Sequence, residues 1–455
     1  MKGRIRCGTC LAMALLASGT ASAATLSLND ALGLAYETNP ELDSQRAAQR
    51  GNDEGVAQAH AGWRPTINLN GSYGYESLSA QLQPRLTLLD SHPIEADITL
   101  AQNIYRGGRT EAEVSKAKAI VRAGVAQLQQ TEIGVLLDAS TTYLDVVRDE
   151  TIFQLRKETV AALQKQLQAT KDQFGVGELT RTDVAQAQAR LAGAEADLVN
   201  AQGQLNVSRS NFEHVIGRPP ETLETDPAMP KLPISEEQAV EIATHDSPAI
   251  VGARENWKAA DYAVQDALGA LLPQISVNAQ YQLSQGSLDS QQGTGTQHLA
   301  SVIGQITVPI YQGGADESGV RQAKDQRAQA ELGIVDAQRQ TNASTRTAWQ
   351  AYTAATASIE ADKAEVRADE VAFQGVKQEQ QVGSRTVLDV LNAQQELSSA
   401  RIGLASALHD AHIAAYELLG SMGWLTAKKL NLRVQIYDPA ENYNDNAARW
   451  FGFGK

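Results

Sequence analysis

The sequence predicts an α+β membrane protein in which one structural unit is used twice. Three observations point there. Landmarks recur about 206–208 residues apart along nearly the whole chain. Four short segments alternate apolar and polar residues with the period of a strand that is apolar on one face. Two very long stretches have helical character without an internal proline, and each turns back through a glycine.

The repeat is explicit. Pro40-Glu41-Leu42 recurs as Pro248-Ala249-Ile250, and Pro65-Thr66-Ile67 with Tyr73 recurs as Pro273-Gln274-Ile275 with Tyr281. Ile104-Tyr105-Arg106-Gly107-Gly108 recurs as Ile310-Tyr311-Gln312-Gly313-Gly314. Val176-Gly177 with Thr180, Asp183 and Val184 recurs as Val382-Gly383 with Thr386, Asp389 and Val390. These landmarks divide the chain into a leader (1–23), a first repeat (24–220), a linker (221–234), a second repeat (235–423) and a C-terminal segment (424–455). The first repeat holds a strand pair over 65–105 and a long hairpin over 110–216; the second holds them over 273–311 and 315–421.

Taken in order, Lys2, Arg4 and Arg6 precede a short apolar run and the small residues Ala21-Ser22-Ala23, the pattern of a secretory signal cut before Ala24. That apolar run is too short to span a bilayer as a helix. Both cysteines, Cys7 and Cys10, fall inside that signal, so the expected mature chain has none and no lipid anchor. Losing the three basic residues takes the net charge from −14 to −17, an acidic balance that fits an exported protein and argues against a nucleic-acid partner. Residues 28–37 read as a short amphipathic helix, and Asn39-Pro40 starts another running to about Trp63.

Pro65 ends the helical period. Ile67, Leu69, Gly71, Tyr73 and Tyr75 then share one strand face and Thr66, Asn68, Asn70 and Ser72 the other. In the second copy Ile275, Val277, Ala279, Tyr281 and Leu283 alternate with polar residues. The partners are 98–105 and 302–311, reached through polar loops at 77–93 and 284–299. Nothing else in the sequence supplies a second sheet to cover the apolar faces, so lipid is the expected cover.

From Thr110 to Phe174 there is no proline, which predicts a helix roughly 100 Å long. The returning helix, starting near Thr180 or Thr182, carries a heptad of Val184, Ala187, Leu191, Ala194, Leu198, Ala201, Leu205, Ser208 and Phe212. The second copy repeats it from Val390 through Ala393 and Leu397 to Leu418. Alanine alternating with a larger apolar residue is a coiled-coil seam with close helix approach. It matches a composition with 42% hydrophobic but only 5% aromatic residues. After Gly423 the tail is irregular, with a strand expected at 430–437.

Four amphipathic strands cannot form an open sheet in lipid, because unpaired backbone groups cost several kcal/mol each. Two copies of the chain would give a barrel filled by its own side chains; three give twelve strands and a lumen. The long hairpins then form a helical tube continuous with the barrel, which makes the assembly a conduit. The competing architecture is a non-channel periplasmic coiled-coil adaptor, which has one hairpin and flanking β-domains rather than two hairpins and four such strands.

The repeat, the strand pairs closing in Ile-Tyr-x-Gly-Gly, and the turns Val176-Gly177-Glu178-Leu179-Thr180-Arg181-Thr182-Asp183-Val184 and Val382-Gly383-Ser384-Arg385-Thr386-Val387-Leu388-Asp389-Val390 resemble the TolC family of outer-membrane factors. The resemblance implies a homotrimer in the outer membrane: a 12-stranded β-barrel, four strands per chain, continuous with a long periplasmic α-helical coiled-coil barrel. It further implies an exit channel for a tripartite efflux pump or type I secretion system, docking through a periplasmic adaptor (membrane fusion protein) to an inner-membrane transporter of RND or ABC type. It implies a closed periplasmic gate in which Arg385 pairs with Thr182 and Asp183 and Asp389 forms a carboxylate ring in the lumen. Val176, Gly177, Val382 and Gly383 are the expected adaptor contacts. Gln380 and Asn392 depart from family preferences for an aromatic and an aspartate.

No nucleotide-binding loop, nucleophile elbow or paired catalytic carboxylates occur, so neither an enzyme nor a cofactor is expected. His409 and His412, at i, i+3 with no third ligand, read as a solvated helix face rather than a metal pair. His92 and His298 read as members of external loops.

Overall fold

The computed structural model describes residues 25–82, 85–286 and 296–453. The leader and its two cysteines lie outside them. Ser27 caps α1 (Leu28–Thr38), its hydroxyl accepting from the Asp30 amide at 3.2 Å. Asn39 caps α2 (Pro40–His60), which closes in a 3-10 turn at Ala61–Trp63 before the Arg64–Pro65 step. The strands β1 (Thr66–Tyr73), β2 (Glu76–Leu82), β3 (Arg85–Ser91) and β4 (Ile94–Arg106) follow. The first long hairpin is α3 (Arg109–Gly175) and α4 (Arg181–Ile216). The second repeat runs through α5 (Glu236–Asp246), α6 (Pro248–Gly269), β5 (Gln274–Gln285), β6 (Thr296–Thr307), α7 (Ala315–Gln381) and α8 (Val387–Ser421). The chain ends in α9 (Pro439–Asn446) and an irregular tail.

The repeat holds to the residue: α3 and α7 are each 67 residues long. Both begin after a glycine pair with left-handed backbone, Gly107 and Gly108 at φ 65° and 80°, Gly313 and Gly314 at 65° and 83°. At Gly107 a Cβ would also lie 2.2 Å from the Gly269 carbonyl oxygen, so the strand-to-helix turn tolerates no side chain there.

Strands β1, β4, β5 and β6 form one antiparallel sheet in that order, leaving β1 and β6 as edges. Ile67, Leu69 and Tyr73 are 67%, 74% and 73% exposed, so no other described part of the chain covers their face. Three boundaries differ from expectation. The segment read as a polar loop at 77–93 is largely a hairpin, β2 on β3, from Glu76↔Ser91 to Leu82↔Arg85. Its period-two pattern was masked by Ser and Gln at the polar positions. β6 stops at Thr307 rather than 311, because Pro309 has no N–H for a ladder. His298 accordingly lies on β6, with its Nδ1 2.9 Å from the Tyr281 hydroxyl, instead of in a loop.

The helices form a row α4–α3–α8–α7. The heptad of α4 faces inward throughout, and that of α8 is buried more deeply, from Val390 to Leu418. α2 and α4 share α3 end to end: Thr38 Oγ1 and Asn39 Nδ2 donate to the carbonyls of Ile216 and Val215 at 3.2 and 3.3 Å. α6 and α8 share α7 likewise. α3 carries many buried residues, whereas α7 leaves Leu332 and Val371 on open surface, as α4 leaves Val199. The two outer helices of the row therefore have unfilled apolar faces.

The main core is a collar around the middle of α3, built from α1, α5, the ends of α4 and α8, and residues near Leu425 and Leu432. Buried Tyr143 ties it together, its hydroxyl donating to the Leu26 carbonyl at 2.8 Å and accepting from the Glu224 amide at 2.9 Å. Burial pushes that phenol up to about 12. The strand expected at 430–437 is not formed; the Tyr437 amide instead donates to the Tyr36 hydroxyl and the Ala427 amide to Glu132.

Below the collar a charged network crosses the seam. Ser208, the heptad's one hydroxyl, donates to buried Asp149, which pairs with Arg148 at 2.8 Å. Arg148 reaches Asp145 at 2.9 Å, and Asp145 meets His409 Nε2 at 2.9 Å. Burial opposes the charge on Asp145, but the His409 hydrogen bond and Arg148 outweigh it and hold its carboxyl below the usual range. His409 and His412 are thus buried, not solvated, which corrects the sequence expectation. Among the described residues no cluster of three metal-ligating groups exists.

Two outcomes follow from these placements. Leu69→Arg, on the open apolar face near mid-strand, should cost roughly 2–4 kcal/mol of membrane insertion while Asn70→Arg on the opposite face is tolerated; urea-washed membrane fractions check this. Asp149→Ala should destabilise the helical region by about 3–5 kcal/mol, because it removes the charge-assisted hydrogen bonds of both Arg148 Nε and Ser208 and leaves Arg148 with Asp145 alone. Ser208→Ala removes only one hydrogen bond to a charged group, about 1.5–3 kcal/mol, and denaturant unfolding followed by circular dichroism ranks the two.

Candidate gate and hairpin tips

Each long hairpin turns in the same six residues. α3 ends with Glu178 N donating to the Gln173 carbonyl and Gly177 N to that of Phe174, both at 3.0 Å. α7 ends identically, Ser384 N to Glu379 at 2.9 Å and Gly383 N to Gln380 at 3.0 Å. This glycine C-cap needs a left-handed residue, and Gly177 and Gly383 supply φ of 83° and 80°. Val176 and Val382 beside them are 73% and 81% exposed, so each tip presents a bare apolar point.

The return helices start with matching capping boxes. Thr180 Oγ1 accepts from the Asp183 amide at 3.3 Å while Asp183 Oδ2 accepts from the Thr180 amide at 2.9 Å. Thr386 and Asp389 repeat this at 3.2 and 2.9 Å. A threonine and an acid three residues later satisfy two orphan amides at once. The Thr180 hydroxyl and amide hold Asp183 below the usual carboxylate range, and the Thr386 amide and hydroxyl do the same to Asp389. Both aspartates are therefore helix-start residues first.

Arg385 does not join Thr182 or Asp183 within the chain. Its Nε donates to Glu379 Oε2 at 3.0 Å, across its own turn, because six residues of a tight turn bring the two side chains together more directly than any reach to the first hairpin. Thr182 is exposed on the first turn of α4.

What links the hairpins lies one to four helical turns above the tips. Arg190 Nη2 donates to Asn392 Oδ1 at 2.9 Å, from α4 to α8. Higher up, the buried hydroxyls of Thr159 and Ser398 are 3.1 Å apart. On the tip side of both sits an apolar plug of Leu163, Leu167, Ala187, Val387 and Leu391. The sequence singled out Asn392 but missed Arg190. The available signal was a break in the repeat, since the position 206 residues after Arg190 is Glu396. A basic residue in one copy and an acidic one in the other marks a place where the copies do different jobs.

These surfaces hold charge, pack helices and expose apolar tips; they contain no reacting pair. Comparison with known proteins agrees. A family model described as "Outer membrane efflux protein" matches residues 31–218 and again 239–424, one match per repeat. The outer membrane efflux protein BepC of Brucella suis biovar 1 (strain 1330) is 36% identical over 452 residues, covering 98% of this chain and 97% of that one. The outer membrane protein TolC of Vibrio cholerae (serotype O1, El Tor Inaba N16961) is 27% identical over 419 residues, 90% and 94% of the two chains. The CmeC outer membrane channel of Campylobacter jejuni superposes with a TM-score of 0.77 at 16% identity, over 92% of this chain and 89% of that one. With both repeats matched and a relative similar along almost its full length, this chain belongs to the outer membrane efflux protein family.

Proposed function

We propose that three copies of this chain form an outer-membrane exit channel, whose periplasmic end is gated by the hairpin tips and opens on docking with a periplasmic adaptor and an inner-membrane transporter. The observation that carries this reading is the coincidence of open edges. The sheet ends in β1 and β6, and the helical row ends in α4 and α7. In a ring of three, β6 meets the β1 of the next copy while α7 meets its α4, so one rotation closes the barrel and the tube together. Each unpaired backbone group at a sheet edge in lipid costs several kcal/mol, so closure is obligatory. The two-hairpin, four-strand chain does not fit the non-channel adaptor alternative, and the matched family is one of channels.

At the entrance Asp389 lies on the inner turn of α8, and threefold symmetry makes it a ring of three carboxylates that attracts cations. Arg385 uses only its Nε for Glu379, leaving both terminal nitrogens to reach Thr182 and Asp183 of an adjacent protomer. Arg190–Asn392 and the apolar plug hold the two hairpins of one chain together. The exposed valines at Val176 and Val382, each beside a glycine, are apolar points against which an adaptor's helix tips pack.

The gate is tested in planar bilayers. Arg385→Ala should raise single-channel conductance, whereas Asp389→Asn, which keeps an oxygen for the helix cap, should lower cation selectivity and multivalent-cation block without opening the pore. Because hydrogen bonds hold Asp389 below the usual carboxylate range, block by cations should persist as pH falls and fade only below about 4. Unchanged conductance in Arg385→Ala would remove the arginine from the gate. The assembly is tested at the edges of the row: Leu332→Asp or Val371→Asp on α7 should lower the trimer fraction in native mass measurement by at least about tenfold, as expected for a charge in an apolar contact, with helix content unchanged.

A further inference from the structure

Aromatic residues make up 5% of this chain, yet Trp450, Phe451 and Phe453 crowd into its last six positions. Their placement is specific. α9 lies on α2, where Asn442 Nδ2 donates to Asp53 Oδ2 at 2.9 Å. From there the tail climbs α2 toward the sheet: Arg64, eleven residues after Asp53 (about 16 Å of helix), donates to the carbonyls of Arg449 at 2.7 Å and Ala448 at 3.3 Å. The same guanidinium lies over the Trp450 ring, 4.7 Å from its centroid. Arg64 is two residues before the first residue of β1, so the tail is fixed at the base of the barrel. Beyond that clamp no described residue covers it, and Phe451 is 88% exposed.

We infer that the C-terminal tail is a membrane-surface anchor, with Trp450, Phe451 and Phe453 seated in the headgroup and upper acyl region of phospholipids in the periplasmic leaflet. The level is set by continuity with the open apolar band of the strands. Trp63, immediately before Arg64, and Leu272, immediately before Pro273 and β5, are also exposed at the barrel base. Tryptophan is suited to this depth because its ring has an apolar body and a polar N–H, and the adjoining phenylalanines reach further into the acyl boundary. Arg64 and Arg449 put positive charge at the level of lipid phosphates.

The inference rests on the barrel lying in the membrane, and the test separates the two. Single cysteines replace Phe453, Glu441 or Leu69 in the full chain, are labelled with a small fluorophore, and the trimers are reconstituted in phosphatidylethanolamine–phosphatidylglycerol nanodiscs. Some of the lipid carries a nitroxide at the headgroup, at a shallow acyl carbon or at a deep one. At Phe453→Cys the headgroup and shallow nitroxides should quench about twofold or more beyond Glu441→Cys on α9, with the deep nitroxide weaker. At Leu69→Cys the deep nitroxide should quench most, which reports the barrel itself. Quenching at position 453 no greater than at 441, with position 69 still quenched, overturns the anchor and leaves the barrel standing. A label at 453 shielded equally in detergent trimers, and released on dissociation, also overturns it and assigns the tail to a neighbouring protomer.

Discussion

Backbone hydrogen bonding at the sheet edges governs this molecule. β1 and β6 each offer a row of N–H and C=O groups with no partner among the described residues, in a region where water is absent. No side-chain choice relieves that; only another strand does. The constraint propagates downward, because the strands enter the long helices through two-glycine turns that fix the direction of α3 and α7 relative to the sheet. Once β6 meets a neighbouring β1, the outer helices α7 and α4 are brought together as well. The apolar residues left open on them, Leu332, Val371 and Val199, then have somewhere to go.

The two copies share a backbone and divide the work. α3 is the buried spine to which the collar, the linker and both neighbouring helices attach, through Tyr143, Asp149 and Thr159. α7 is the outer wall. The polar groups of the spine are concentrated where different helices cross, and each has a partner there. Ser208 in the α4 seam is the clearest case: the alternation calls for an alanine, which the second copy has at Ala414, but a hydroxyl is what Asp149 takes, in a network that reaches His409. Such buried polar crossings fix the register of the helices more sharply than alanine and leucine alone.

Much of this was legible in the residues. Prolines and glycines at matching offsets located the turns, the 3-4 spacing of Val, Ala and Leu located the seams, and Thr-x-x-Asp located the starts of α4 and α8. The misses share a cause, which is that partners distant in sequence decided the outcome. The 430–437 tail alternates like a strand but spends its amides on the carbonyls of the preceding turn, Thr426, Ala427 and Lys428, and on the Tyr36 hydroxyl. His409 and His412 sit at polar-looking spacing but lie under the linker and against Arg148. Arg385 was expected to bond across hairpins, whereas its nearest acid, Glu379, lies in its own turn. Residues 77–93 look like a loop because serine and glutamine occupy alternate positions; only their pairing, visible in space, makes them strands.

The end-to-end meeting of α4 with α2 has a mechanical consequence. A continuous helix such as α3 carries a bend through its whole length, since bending strains every i→i−4 hydrogen bond near the flexure. At the joint, the connection is made by side chains alone: Thr38 and Asn39 on two carbonyls, about 1 kcal/mol each, beside the packing of Phe212 and Ile216 in the collar. Torque applied at the tip of α4 therefore reaches α2 through side-chain contacts and through α3, not along a shared backbone. The fold is built as a stiff mast with a joint halfway along one side, where one helix hands over to the next without sharing a backbone hydrogen-bond ladder.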